Sequence, residues 1–338
     1  MLTPEETPSP TSPPPGGPVV DSAVAPQDRK TPLWRILGTV LSLGLLVYLI
    51  YTQGWNEFAS VLRRLPFTTV LFAFALLMCS RVCVTLRWYT LLRSAKVEIS
   101  FWQCFRLMFM GNFSSNFLPS TVGGDLVRLA GTIYLHVDAG VGAASLVVDR
   151  LVGMAGMSSL APFGLAIVFH PLAAGRPSYL AAGLFSGLAR LPGVQKLYGR
   201  LKKFLDSLLH SSLYWLHHPS SLLLALLCTF GHMLFTFLMS DVLLTAMHQS
   251  ISLWRIGALW SLSYFITLVP VSINGLGLQE LSISYLYSNF GGVTPEAALA
   301  LAVLTRLLFL LASLPGVFFL PDILRPLPAI SSTRPGQE

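Results

Sequence analysis

Charged residues are scarce in this chain: they make up 11% of it, against about a quarter in a typical soluble domain. Hydrophobic residues make up 53%, and apolar runs recur through nearly the whole length. No stretch is therefore polar enough to form a second, soluble domain. The composition predicts an integral membrane protein. The excess of Lys and Arg, +7, is typical of the cytoplasmic loops of such proteins, so we expect no nucleic-acid partner.

Cysteines and other metal ligands are few as well. The four cysteines, Cys79, Cys83, Cys104 and Cys228, lie in or beside apolar segments, where disulfides between water-facing loops cannot form. Cys79 and Cys83 are close in sequence, but no further Cys or His nearby completes a metal site. We predict packing roles for the cysteines, and neither a bound metal nor a cofactor. An ATP-binding motif is also absent, so any energy would come from a gradient or from another subunit.

The two ends of the chain differ from its middle. Residues 1–31 contain the run TPSPTSPPPGGP, which cannot bury a core and predicts a disordered cytoplasmic tail. The first apolar stretch begins at Leu33, too late for a cleavable signal peptide, and it follows Arg29 and Lys30. This pattern indicates a first transmembrane helix with a cytoplasmic N-terminus. We assign residues 32–321 to a transmembrane domain of the cell inner (plasma) membrane and residues 322–338 to a short cytoplasmic tail.

The lengths of the apolar runs and the positions of the basic clusters predict six full membrane spans, with both termini in the cytoplasm. One span of about 20 residues starts near Pro66. The others are expected at 33–51, 140–169, 172–191, 220–246 and 296–320. The weakly apolar run 172–191 is included because only a crossing there places the basic cluster at 190–203 in the cytoplasm. Residues 194–216 then read as an amphipathic surface helix.

Two further apolar segments are interrupted. The runs 102–118 and 126–135 flank Pro119, and the runs 254–269 and 276–289 flank Pro270. No single run in these pairs comfortably spans a bilayer, so each pair predicts a re-entrant hairpin. By the span count, the two hairpins enter from opposite faces. The predicted fold is all-α: a polytopic helical membrane protein with about six full spans and two re-entrant broken-helix hairpins.

The two interruptions resemble each other and form an inverted quasi-repeat. In PSTVGGD at 119–125 and PVSING at 270–275, Pro is followed by a hydroxyl residue, then a β-branched one, then Gly at matching positions. Pro removes a backbone donor and Gly tolerates positive φ, so the helix opens and leaves polar groups unpaired. Such groups need a cavity enclosed by protein or filled with water, so we expect the two breaks to lie near one another across a shared polar cavity. Paired breaks of this kind predict a transporter binding site.

Ionisable residues within the apolar segments are the second indication of a site. A charge near the bilayer centre costs a few kcal/mol, so retained charges usually pair or serve a pathway. Three acids and three bases balance, which leaves two interpretations open: a structural ion-pair network, or a binding site for a headgroup. Arg81 and Arg106 would make the set positive, and Arg87 and Arg93 are assigned to the membrane interface. Asp125 and Arg128 share a helix face at i, i+3, and we expect them to pair. The six are Asp125, Arg128, Asp149, Arg150, Glu280 and Arg306.

The combination of NFLPSTVGGDLVR at 116–128, the Asp149–Arg150 pair and PVSINGLGLQE at 270–280 resembles the lysylphosphatidylglycerol synthase transmembrane-region family. The resemblance covers about residues 33–321. It implies a flippase-like, multi-pass protein associated with moving modified or polyprenyl-linked lipids between leaflets. The fused aminoacyl transferase of some members, and with it lipid aminoacylation, is not expected here. The matching motif positions are Asn116, Pro119, Gly123, Gly124, Asp125, Arg128, Asp149, Arg150, Asn274, Gly275, Gly277 and Glu280.

The leading hypothesis is a lipid flippase or translocase-like carrier for a membrane lipid with a phosphate-bearing headgroup. A membrane-embedded enzyme acting on a lipid phosphate or polyprenyl-linked sugar stays open, as do an accessory role beside a lipid-modifying enzyme and a homo-oligomer. No catalytic residue is predicted, because His136, His170 and His232 have no nucleophile or metal cluster at a suitable spacing. Besides the motif positions above, the candidate lipid-binding residues include Thr121, Ser272 and Arg306.

Overall fold

The computed structural model describes residues 65–117, 123–173, 219–269 and 273–324, together with the isolated positions Gly44 and Arg63. All regular structure in these ranges is helical. The helices are α1 (Phe67–Ser94), α2 (Phe101–Phe117), α3 (Gly123–Tyr134), α4 (Ala139–Ala173), α5 (Pro219–Ala246), α6 (Leu253–Leu268), α7 (Leu278–Phe290), α8 (Pro295–Ser313) and α9 (Pro315–Leu324), with a short 3-10 turn at Ile273–Gly275.

Four of the described helical stretches are long and apolar enough to cross a membrane. They are Phe67–Ser94, Ala139–Phe169, Pro219–Ala246 and Pro295–Phe319, the last running from α8 into α9. They match four of the predicted spans. Apart from Gly44 and residues 172–173, the other two predicted spans, at 33–51 and 172–191, lie outside the described residues. The same holds for the predicted surface helix at 194–216, the tail at 1–31 and, beyond residue 324, the tail at 322–338, whose first residues end α9. The total of six spans stays a prediction.

The two interrupted segments form packed helix pairs. Helix α2 packs against α3, and α6 packs against α7. Helix α3 begins at Gly123, three residues before the predicted start, so that Asp125 lies in its first turn. In the second break, Asn274, Gly275 and Gly277 all have positive φ (50°, 68° and 76°), the conformation for which Asn and Gly are suited. Pro119, Thr121, Pro270 and Ser272 lie outside the described residues, and entry of the two pairs from opposite membrane faces stays a prediction.

The core lies between α1, α5 and the C-terminal helices. Helix α1 packs along α5, and α7 packs along α8. Helix α8 is the most enclosed of the long helices: its residues 297–302 are at most 1% exposed. Large apolar side chains such as Phe67, Leu223 and Phe318 are instead exposed on the outer surface, as expected for side chains that face lipid. The polar side chains described next therefore lie inside an apolar shell.

Candidate functional site

The two breaks meet through a chain of side-chain hydrogen bonds. Asn274 Nδ2 donates to Asn116 Oδ1 at 3.0 Å. Asn116 Nδ2 in turn donates to Ser313 Oγ at 2.9 Å. The end of α2, the second break and the end of α8 are thereby tied together. The predicted proximity of the two interrupted segments is confirmed for these described residues.

A polar cavity of about 290 Å³ lies where the breaks meet. Gly124 and Asp125 line it from the first break, and Asn274 and Gly275 line it from the second. Arg150 reaches it from α4. Helix α3 points its N-terminus toward the cavity, so its unpaired amides and partial positive charge are directed there. Backbone polar groups that could not face lipid thus lie beside a polar cavity, which agrees with the prediction made from the Pro and Gly positions.

Asp125 holds two arginines at the cavity wall. Its Oδ1 accepts a hydrogen bond from Arg128 Nη1 at 3.2 Å, within the first turns of α3. Its Oδ2 accepts a hydrogen bond from Arg150 Nε. Arg150 keeps 43% of its side-chain surface exposed, whereas Arg128 keeps 8%. The predicted pairing of Asp125 with Arg128 is confirmed, and Arg150 is the member of the group that an incoming molecule can reach.

Asp149 forms a second, buried ion-pair group behind the first. It accepts hydrogen bonds from Arg87 Nε at 2.7 Å and from Arg128 Nη2 at 3.3 Å. Arg87 also donates to Thr229 Oγ1 at 3.3 Å, and the Arg128 guanidinium carbon lies 4.1 Å from the centroid of the Trp88 ring. Only 2% of Asp149 is exposed. Arg128 therefore joins the buried group to the cavity wall.

The assignment of Arg87 to the membrane interface was wrong. Helix α1 continues to Ser94, and Arg87 faces its packed side with 7% exposure rather than its outer side. Arg93, in the last turn of the same helix, is exposed. Asp149 and Arg150 do not pair with each other, because neighbouring residues on a helix point about 100° apart. Each finds its partner on another helix.

Glu280 and Arg306 form the corresponding group at the second break. Arg306 Nε lies 3.2 Å from Glu280 Oε1, an ion pair that lacks hydrogen-bond alignment. Arg306 Nη1 also donates to the Asn274 carbonyl and to Gln279 Oε1, both at 3.4 Å. Glu280 is 3% exposed, and it lies in the first turn of α7, which Gly277 precedes. Each break is therefore followed by a helix whose first turn carries a carboxylate paired with arginine.

A second cavity, of about 240 Å³, adjoins the first. The two share lining residues at the junction of the breaks, including Asn112, Ser115, Asn274 and Gln279. Its other walls include Arg81 and Arg306. The sequence suggested that Arg81 could shift the charge balance, and the structure places Arg81 beside the site.

Other reactive side chains lie apart from the cavities. Ser80 Oγ and His232 Nδ1 are hydrogen-bonded at 2.6 Å, but Ser80 is fully buried and lines neither cavity. His136 is exposed at the end of α3. Across the four described ranges, no three His, Cys, Asp or Glu side chains gather as metal ligands would.

The comparisons with known proteins identify the family. No curated protein matches the chain. The family model described as the lysylphosphatidylglycerol synthase TM region matches residues 35–316, which cover both interrupted segments and all the ion pairs above. The resemblance noted from the two Pro–Gly motifs is thereby confirmed. This chain belongs to the lysylphosphatidylglycerol synthase transmembrane-region family.

Proposed function

We propose that this protein is a lipid flippase or translocase-like carrier that binds the phosphate-bearing headgroup of a membrane lipid between the two breaks. The observation that carries the proposal is the polar cavity of about 290 Å³ at their junction, with an accessible arginine in its wall. The surrounding helices are apolar outside. A headgroup would occupy the cavity while its acyl chains stayed in the bilayer.

Arg150 has the properties required of the headgroup ligand. Its planar guanidinium can donate two parallel hydrogen bonds to a phosphate. It is now held by Asp125, which has a second partner in Arg128. When a phosphate binds Arg150 in place of Asp125, Asp125 keeps its ion pair with Arg128. Arg150 can therefore exchange one anion for another without stranding a buried charge, which a carrier needs for both binding and release.

Replacement of Arg150 by Gln is expected to slow lipid transfer about 10-fold or more, the usual effect of losing a charge-assisted pair. Thermal stability should stay near that of the wild type, because Asp125 retains Arg128. Arg150→Lys should rescue transfer only in part, because an ammonium cannot form the bidentate fork. Transfer of a fluorescent phospholipid in liposomes and melting in detergent are the two measurements.

The matched control is Arg255→Gln, which removes an exposed arginine in the first turn of α6, away from both cavities. It should transfer lipid like the wild type. Unchanged transfer in Arg150→Gln would contradict the role given to Arg150, and a parallel fall in melting temperature would favour a structural network. Because the purified chain is the only protein in these liposomes, an accessory subunit of a separate enzyme would transfer nothing.

We also propose an orientation in the inner membrane with both termini and residues 190–203 in the cytoplasm, because that basic cluster follows the positive-inside rule. In a variant without the four native cysteines, Cys introduced at Lys202 should resist an impermeant thiol reagent added to intact cells. Cys introduced at His248, in the turn between α5 and α6, should react. The reverse pattern would invert the proposed topology.

A further inference from the structure

Arg81 differs from the other arginines around the two cavities. Arg87, Arg128, Arg150 and Arg306 each lie within 4.0 Å of a carboxylate oxygen. Among the residues that the structure describes, no carboxylate lies that close to Arg81, and its guanidinium carbon lies 4.8 Å from the centroid of the Phe309 ring. A ring face attracts a cation but does not neutralise it. Arg81 therefore brings an uncompensated positive charge to the cavity wall.

The location of Arg81 in a membrane-spanning helix indicates that its charge has a functional role. It lies in the middle of α1, one of the helices long enough to span the membrane, where an unpaired guanidinium is costly and usually serves binding or transport. It lines the second cavity, of about 240 Å³, together with Arg306. Among the described residues around the two cavities, the three carboxylates of Asp125, Asp149 and Glu280 stand against five guanidinium groups, which leaves an excess of two positive charges.

We propose that the second cavity is an anion-binding subsite in which Arg81, assisted by Arg306, binds a phosphate group. That group is either the phosphate of a lipid headgroup or a free phosphate ion. The inference deepens the proposed function, on which it rests, by selecting lipids with a net negative headgroup over zwitterionic ones. Arg81 supplies the uncommitted donors, whereas Arg306 is shared with Glu280 and the Asn274 carbonyl.

Neutral polar side chains line the same wall. Asn112, Ser115 and Asn116 line the second cavity beside the arginines. Asn112 and Ser115 also line the first cavity, so an anion that leaves Arg150 meets polar groups on the way to Arg81. The two arginines thus offer phosphate contacts in adjoining cavities that share Asn274.

The test is a binding measurement on the full chain in detergent. Dihexanoyl phosphatidylglycerol is the anionic probe, and dihexanoyl phosphatidylcholine is the zwitterionic comparison. Arg81→Gln should weaken binding of the anionic lipid about 10-fold or more, with Arg81→Lys intermediate. The melting temperature without ligand should not fall, since no described carboxylate loses its partner. Arg255→Gln should bind like the wild type.

Competition by inorganic phosphate identifies the source of the group. If phosphate displaces the lipid from the wild type, the free ion is itself a ligand; if it does not, the subsite requires the lipid headgroup. Equal binding by the wild type and Arg81→Gln, no binding by the wild type, or equal affinity for the two lipids would overturn the proposal.

The subsite and the proposed function fail separately. Arg81-dependent binding without lipid transfer in liposomes would remove the carrier function and leave the subsite. Normal transfer by Arg81→Gln with unchanged binding would remove the subsite and leave the carrier function.

Discussion

Replacement of Arg87 by Gln is expected to destabilise the protein by about 3–5 kcal/mol, the usual cost of removing one partner from a buried ion pair. Arg87 makes the shorter of the two contacts to Asp149, at 2.7 Å, and both side chains are almost completely buried. After the replacement, Asp149 keeps only Arg128, at 3.3 Å. The measurements are the melting temperature and the yield of folded protein in detergent.

A double variant separates lost pairing from lost packing. In Arg87→Gln combined with Asp149→Asn, no unpaired carboxylate remains, and Arg128 still has Asp125. The double variant should therefore be more stable than Arg87→Gln alone. With Asp149→Asn measured as the other single variant, the cycle gives the coupling free energy of the pair. If Arg87→Gln melts with the wild type, or if the double variant melts lower still, the pair does not stabilise the interior as its geometry implies.

Local features of the sequence predicted most of the described fold. Apolar runs gave four of the helical spans, because length and hydropathy alone decide whether a segment can cross a bilayer. The two breaks were recognised from Pro and Gly at matching positions. The one clear difference is that α3 begins at Gly123, three residues before the predicted start. Two glycines can form the first turn of a helix there because their small size lets another helix pack closely.

Partners across the fold were harder to predict than the breaks themselves. The contact between Arg128 and Asp125 follows from their i, i+3 spacing and was found. The contact between Arg87 and Asp149 joins residues 62 positions apart, and no local rule selects that arginine over others near the end of the same helix. The hydropathy of α1 tells neither which side of the helix is packed nor how far it continues past the apolar run.

The second cavity could be anticipated only in part. An arginine within an apolar segment is a signal by itself, and Arg81 carried that signal. The sequence could not show that Arg306 and Phe309 lie near Arg81, or that no carboxylate of the described residues does. Those facts depend on how α1 packs against α8, which is a property of the whole assembly of helices.

The close contact of α2 with α3 depends on a pair of glycines, Gly111 and Gly124. A Cβ added to Gly124 would overlap the carbonyl oxygen of Gly111 and lie 3.2 Å from Ser115 Cβ. A Cβ added to Gly111 would lie 2.8 Å from both the Gly124 carbonyl oxygen and Arg128 Cγ. Backbone cannot rotate away as a flexible side chain can, so relief of the overlap requires the two helices to separate.

Gly124→Ala is therefore expected to lower stability by about 1–3 kcal/mol, the usual cost of overpacking, and to reduce lipid transfer more than this destabilisation alone explains. Separation of α3 from α2 would displace Asp125 and Arg128 from the cavity wall, since both lie within two turns of the overlap. Gly231→Ala is the matched control, because its added Cβ would meet only the Cys83 side chain, at 3.2 Å. Melting in detergent and transfer in liposomes should be compared at a temperature where both variants are folded. If the two variants behave alike in both assays, the close approach of the helices at Gly124 does not hold the site in place.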